Sequence, residues 1–139
     1  ADNPLATYQC YEGGALPFAD STFDVAFAAC VVHHVPLEMR AAFAREMRRV
    51  VRPDGLVVLF EHNPYNPLTR VAVSRCEFDV DIDMLTRRRA ARLLAEAGLT
   101  CIERAYFVFF PSDRSPLPAL ERCMRWLPLG AQHVVAARR

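Results

Sequence analysis

Apolar and polar positions along the chain form a pattern that predicts alternating strands and helices. Short apolar runs that indicate strands occupy residues 7–12, 23–32, 56–60, 100–110 and 132–137. The run at 23–32 is almost continuously apolar, which is typical of a parallel strand covered on both faces. The pattern therefore predicts an α/β fold.

Longer amphipathic segments separate these runs and predict helices. One begins at Pro36 and ends before the Pro53-Asp54-Gly55 sequence, which predicts a tight turn. A second begins after Thr86, a potential N-cap, and ends at Gly98, and a short third helix is expected at 115–126. The proline-rich segment 61–67 predicts a rigid polar loop after the 56–60 strand.

Composition narrows the class of protein. The chain has 139 residues and a formal net charge of +1, so no strong field favours nucleic acid or a membrane surface. The arginine run at 87–89 follows Asp79, Asp81 and Asp83 and is interpreted as a solvated helix face. Five widely spaced cysteines and no apolar stretch of membrane-spanning length favour a cytoplasmic domain without disulfides or a membrane segment.

Five short motifs follow one another in a recognisable order: LPFAD at 16–20, FDV at 23–25, VVHHV at 31–35, MRRVVRPDG at 47–55 and AEAGL at 95–99. In this order they resemble the C-terminal part of a class I S-adenosylmethionine-dependent methyltransferase of the type 11 family. The resemblance implies a partial doubly wound, Rossmann-like sheet containing strands 3 to 7 of the family order 3-2-1-4-5-7-6, with the final strand antiparallel.

The resemblance also implies cofactor contacts for S-adenosylmethionine. Glu12 matches the acidic residue that receives the adenine amine, and Gly13 matches the residue that offers a backbone N–H to the ring. Ala29 and Cys30 match positions beside the methionine portion. The alternatives are that Glu12 is a solvated strand end and that Ala29 and Cys30 are ordinary core residues.

His33 and His34 directly follow the 23–32 run and match the loop that borders the methyl-transfer pocket. Either histidine is a candidate general base, His34 being the more regular family position. Structural roles for the pair are an open alternative. No metal is predicted, because adjacent residues in a strand-like segment point to opposite faces and no third ligand stands at a defined spacing.

Glu61, His62 and Tyr65 follow the 56–60 strand and are expected at the same rim, where they are candidate substrate contacts. A carboxylate beside the His62 imidazole would raise its basicity. A rim ion pair or a set of capping contacts is the alternative interpretation.

The family's glycine-rich G-x-G-x-G turn does not occur in the 139 residues. We therefore expect residues 1–139 to be a single methyltransferase domain truncated at its N-terminus, with weak or absent cofactor binding. The 7–12 strand would lack its neighbours, and the sheet edge beside the 23–32 strand would be free to pair with a second copy or with the missing N-terminal segment.

The sequence thus favours methyl transfer to a small-molecule acceptor by the family to which it is similar, with this chain alone inactive. The alternative is a non-catalytic module that associates with itself or with a partner. A hydrolase that uses His33 or His34 ranks third, since the chain has no nucleophile-elbow motif.

Overall fold

Four strands form one sheet in the computed structural model of the chain, which describes residues 6–11, 13–110 and 116–139. The strands are β1 (Phe23–Ala29), β2 (Val51–His62), β3 (Thr100–Phe107) and β4 (Gln132–Arg138). Their order across the sheet is β1-β2-β4-β3, with β1 parallel to β2 and β4 antiparallel to both of its neighbours. The predicted partial doubly wound sheet is confirmed, and the four strands correspond to family positions 4, 5, 7 and 6.

The described residues contain four α-helices: α1 (Leu37–Val50), α2 (Pro67–Ser74), α3 (Arg87–Glu96) and α4 (Leu117–Met124). The first, third and fourth confirm predictions, and Thr86 caps α3 by accepting a hydrogen bond from the backbone N–H three residues later. The helix α2 was not predicted, although Asn66 caps it and Pro67 occupies its first turn. No helix in this part of the chain is long and apolar enough to cross a bilayer.

One face of the sheet carries the hydrophobic core. Alternate residues of β2 and β4 point to this face, as the period of a strand requires, and α1 and α3 cover it with small and branched side chains. The fully buried members include Val57, Leu59, Leu94, Val135 and Ala137. The helices cover this face of the sheet, so the ends of the strands remain open for a site.

The Pro53-Asp54-Gly55 segment forms a bulge inside β2 rather than a turn between two elements. The β1 partner of Val51 is Phe23 and that of Leu56 is Val25, so four residues of β2 lie opposite one residue of β1. A Cβ on Gly55 would lie 2.7 Å from the carbonyl oxygen of Asp24. The glycine is therefore required by the close approach of two backbones.

The expectation that β1 is covered on both faces is wrong. Val25 is 48% exposed and Phe27 is 68% exposed. Both side chains point away from α1, and β1 pairs only with β2, so it is an edge strand among the described residues. The apolar run was read correctly as a strand, but nothing in the described chain covers its outer face.

The strand predicted at 7–12 is also wrong for residues 7–11, the part of it that the structure describes. Residues 6–11 have no regular structure, and Tyr8 is 76% exposed. Glu12 lies outside the described residues. A strand needs partners for its backbone groups, and the described chain supplies none beside this segment.

One arginine of the run at 87–89 pairs with the acidic loop, as predicted. Arg89 donates to both carboxylate oxygens of Asp83, at 3.1 and 2.7 Å. The Arg87 guanidinium lies 4.2 Å from the centre of the Tyr106 ring. The first contact holds the start of α3 against the acidic loop that precedes it, and the second holds it against β3.

Candidate active site

The end of β1 turns sharply into the histidine pair. Cys30 has a φ of +54°, in the left-handed region, and its N–H donates to the carbonyl oxygen of Phe60 at 2.8 Å. A single turn of 3-10 helix, Val32–His34, follows. Because β1 and β2 are parallel, this turn lies at the same sheet edge as the last residues of β2, where doubly wound sheets bind ligands.

Glu61 is wholly buried below this turn. Its Oε1 accepts a hydrogen bond from the N–H of Val32 at 2.8 Å, and its Oε2 lies 2.5 Å from Nδ1 of His33. Both oxygens therefore bind groups inside the fold. Glu61 was expected at the rim, and its burial gives it instead the position of a residue that orients His33.

The pKa values of the buried His33 and the half-buried His62 shift in opposite directions. Burial by itself would lower the pKa of His33, but the hydrogen bond and charge of Glu61, with a contribution from Asp79, raise it above its ordinary value. The pKa of His62 is lowered by burial and by the nearby His33. The charge of Glu61 raises the pKa of His62, as expected, but burial and His33 outweigh it, and the hydrogen bonds of Glu61 go to Val32 and His33.

His33 and His34 converge instead of diverging. Nε2 of His33 lies 3.5 Å from Oδ1 of Asp79, and Nε2 of His34 lies 3.3 Å from the same oxygen. The reasoning that adjacent residues point apart fails because the pair lies in a helical turn, not in an extended strand. The His34 side chain is 42% exposed, whereas that of His33 is inaccessible to solvent.

A pocket of about 270 Å³ opens beside His34. Gly13, Val31, Met39 and Phe43 contribute to its lining. Gly13 is exposed and has a φ of +92°, a conformation that favours glycine. The structure thus brings one predicted cofactor residue and one predicted catalytic residue to the same cavity.

The other predicted site residues lie around this edge. Ala29 is exposed at the end of β1, and Cys30 is half-buried, with its thiol pKa raised by burial and by the charges of Glu61 and Asp79. His62 lies with its ring centre 5.3 Å from that of His33. Tyr65 is 58% exposed in the turn after β2.

Two residues of this region were missed as site residues. Asp79 had been considered only as a counter-ion for arginines, and its approach to the histidines depends on the fold of a loop that no spacing announces. Asn63 is fully buried and donates to the carbonyl oxygens of Gly130 and Pro128, at 2.7 and 3.1 Å. The sequence signal for Asn63 was its position just after the predicted buried strand 56–60.

Comparison with known proteins supports the resemblance that the motifs predicted. Residues 1–59 match the model of the methyltransferase domain family, Methyltransf_11. An uncharacterized methyltransferase from Mycobacteroides abscessus is 42% identical over 57 residues, which are 41% of this chain and 21% of that protein. One from Mycobacterium tuberculosis H37Rv is 47% identical over 47 residues, 34% of this chain and 18% of that protein.

Solved structures share the fold over most of the chain. A SAM-dependent methyltransferase from Thermotoga maritima superposes with a TM-score of 0.64 at 17% identity, covering 88% of this chain and 59% of that one. One from Archaeoglobus fulgidus gives a TM-score of 0.65 at 11% identity and covers 88% and 62%. The chain therefore has the fold of the class I S-adenosylmethionine-dependent methyltransferases, and its first 59 residues are similar to their methyltransferase domain family.

The chain spans only part of the length of these relatives. The matched stretch is about a fifth of the length of the curated relatives, and the chain covers about three-fifths of the first two solved structures. The 1,6-didemethyltoxoflavin-N1-methyltransferase of Burkholderia thailandensis, solved with S-adenosylhomocysteine and its substrate, has a TM-score of 0.54 at 16% identity and covers 87% of this chain and 45% of that one. The family match over residues 1–59 and the curated relatives confirm the resemblance predicted from the motifs.

Proposed function

We propose that this chain forms part of an enzyme that transfers the methyl group of S-adenosylmethionine to a small-molecule acceptor. The observation that carries the proposal is the pocket between Gly13 and His34 at the end of β1. In a doubly wound sheet this is the edge at which ligands bind. The family match and the bound cofactor product in the Burkholderia thailandensis structure support S-adenosylmethionine as the methyl donor.

In this proposal the cofactor lies across the end of β1. Gly13, with Glu12, contacts the adenine, and the exposed Ala29 and the bend at Cys30 leave room for the methionine portion. The acceptor lies on the other side of the histidine turn, against His62 and Tyr65. Transfer then depends chiefly on holding nucleophile, methyl carbon and sulfur in line.

His34 is the candidate that removes a proton from the acceptor. Its imidazole is half-exposed and lines the pocket, whereas the Nε2 atom of His33 is buried. His33 and Glu61 then act as positioning residues that fix the turn. When the chain is assayed within the whole enzyme of which it is proposed to form part, with methyl-labelled cofactor and a panel of hydroxyl and amine acceptors, His34→Ala should reduce transfer about 100-fold. An Asp81→Asn variant, changed at an exposed loop residue, should match the wild type.

Binding by the isolated 139-residue chain should be weak, since its sequence has no G-x-G-x-G turn. A millimolar titration of S-adenosylhomocysteine, followed by amide chemical shifts, should move the signals of Gly13 and Val31. Val31→Trp would fill the pocket and abolish these shifts, whereas Val71→Trp, at a similarly exposed position on α2, would preserve them. Shifts that are absent, or unchanged by Val31→Trp, would contradict this site, and micromolar affinity would contradict the need for the glycine-rich turn.

A second candidate function rests on the uncovered outer face of β1. Phe27 is 68% exposed on an edge strand, and exposed strand edges favour pairing with another chain. The chain would then be a non-catalytic module that associates with itself. Size-exclusion chromatography with light scattering would support this module if it showed a stable dimer that does not bind the cofactor. Phe27→Asp should dissociate the dimer, and the control Leu68→Asp should leave it intact. A monomer that binds the cofactor product would exclude it.

A further inference from the structure

Three ligand atoms converge beside the histidine turn. They are Nε2 of His33, Nε2 of His34 and a carboxylate oxygen of Asp79, and all lie within 4.8 Å of one another. We propose that these three residues bind a divalent transition-metal ion, with zinc as the best match to two imidazoles and one carboxylate. The inference goes beyond the proposed methyl transfer and does not depend on it.

Two of the three separations between the ligand atoms already suit a tetrahedral ion, and the third, between the two histidine nitrogens, is at most 4.8 Å. Ligands held about 2.0–2.1 Å from zinc lie about 3.4 Å from one another in a tetrahedral site. Oδ1 of Asp79 lies 3.5 Å from the His33 nitrogen and 3.3 Å from the His34 nitrogen. Only small side-chain movements would therefore be needed to admit an ion.

The His33 nitrogen gives an independent reason to expect a ligand. The His33 side chain has no solvent exposure, and within the described chain its Nε2 atom has no hydrogen-bond partner. Buried polar atoms are almost always paired. A metal ion at this point would provide the missing partner.

Glu61 completes the arrangement from the opposite side of the ring. It lies 2.5 Å from Nδ1 of His33, so a proton on Nδ1 leaves the Nε2 lone pair free to face Asp79 and His34. Metal-binding histidines almost always donate their other ring N–H in this way, often to a carboxylate. The N–H of Val32 holds the second Glu61 oxygen at 2.8 Å, which fixes the carboxylate in place.

The site would have one open side. Three protein ligands leave the fourth tetrahedral position to water or to a bound molecule, and the 42% exposure of the His34 side chain shows where solvent approaches. The proton-removing role proposed for His34 belongs to the metal-free chain, because a metal on Nε2 would occupy the lone pair that accepts the proton. A hydroxyl acceptor at the open position would instead have its pKa lowered by the cation and would release its proton to solvent.

Cobalt(II) titration of the purified chain, followed by visible absorption, tests the site without cofactor or acceptor. We expect one equivalent of cobalt to bind with a tetrahedral spectrum and to be displaced by zinc. His34→Ala and Asp79→Asn should each weaken binding at least about tenfold, and Glu61→Gln should weaken it about 10- to 100-fold through the orientation of His33. Thermal unfolding of each variant verifies that it is folded.

Asp81→Asn is the matched control, since it removes a carboxylate from the same loop and leaves the three ligands intact. Asp81 has a φ of +55°, which asparagine tolerates. Its metal affinity should equal that of the wild type. Failure of the wild-type chain to bind one equivalent, or binding that His34→Ala and Asp79→Asn leave unchanged, would overturn the proposal. Neither result would bear on cofactor binding, which the chemical-shift titration measures separately.

Discussion

Nδ1 of His33 lies 2.5 Å from Oε2 of Glu61, although 28 positions separate the two residues and neither side chain reaches solvent. The other carboxylate oxygen holds the N–H of Val32. One buried carboxylate therefore ties the turn after β1 to the end of β2. The position of the turn that carries His33 and His34 therefore depends on this carboxylate.

Replacing Glu61 with alanine should lower the free energy of unfolding by about 3 kcal/mol, because it leaves two buried groups without their partner. Urea denaturation monitored by circular dichroism measures this loss. Glu61→Gln is the matched variant: it keeps an oxygen for the Val32 N–H, so we expect a smaller loss. An alanine variant as stable as the wild type would show that the carboxylate is not a structural tie.

Arg49 should hold the backbone of the LPFAD motif, residues 16–20, in a fixed conformation. Its guanidinium donates to the carbonyl oxygens of Leu16 and Phe18, at 2.9 and 2.8 Å, and also pairs with Glu46. Arg49→Ala should therefore speed hydrogen exchange at the amide of Leu16, which donates to Glu46 at 2.8 Å. Arg52→Ala, which removes an exposed ion pair with Asp24, is the control and should leave this amide unchanged. Equal exchange in both variants would contradict the role of Arg49.

These contacts explain why motifs that are separate in the sequence predicted much of the fold. The LPFAD and MRRVVRPDG motifs meet in space through Arg49, and FDV meets the second motif where Asp24 faces Gly55. Strand and helix positions followed from apolar periodicity because α1 and α3 bury one continuous face. The order of the strands came from the family resemblance, not from the pattern itself.

The site was less predictable, for physical reasons. The sequence placed the histidine pair and Glu61 at one sheet edge, but it could not show that Cys30 bends the chain into a helical turn. That bend turns both imidazoles toward Asp79, which is 45 positions beyond His34 in an irregular loop. Hydrophobic periodicity contains no signal for such a contact, so the convergence of the three residues appeared only in the structure.

Gly55→Ala should destabilise the fold by about 1–3 kcal/mol, because the added methyl group would overlap backbone and side-chain atoms. The new Cβ would lie 2.5 Å from Cγ1 of Val51 and 2.7 Å from the Asp24 oxygen. Urea denaturation at neutral pH provides the measurement. Val51→Ala combined with Gly55→Ala would remove the side-chain clash only, so part of the loss should persist. A stable single variant would mean that the bulge can widen without cost.

Asp83 should make stability depend on acid pH. Its hydrogen bond from Arg89, followed by that from Arg40, lowers the pKa of its carboxyl group in the folded chain. A lowered folded pKa stabilises the fold fully above the unfolded value, about 3.9, and the contribution is lost as pH falls through the folded value. The unfolding free energy of the wild type should therefore fall below pH 4 more steeply than that of Asp83→Asn. The Asp83 side chain is 44% exposed, so high salt should reduce the difference between the two chains. Parallel pH profiles would show that Arg89 and Arg40 do not stabilise the charged carboxylate.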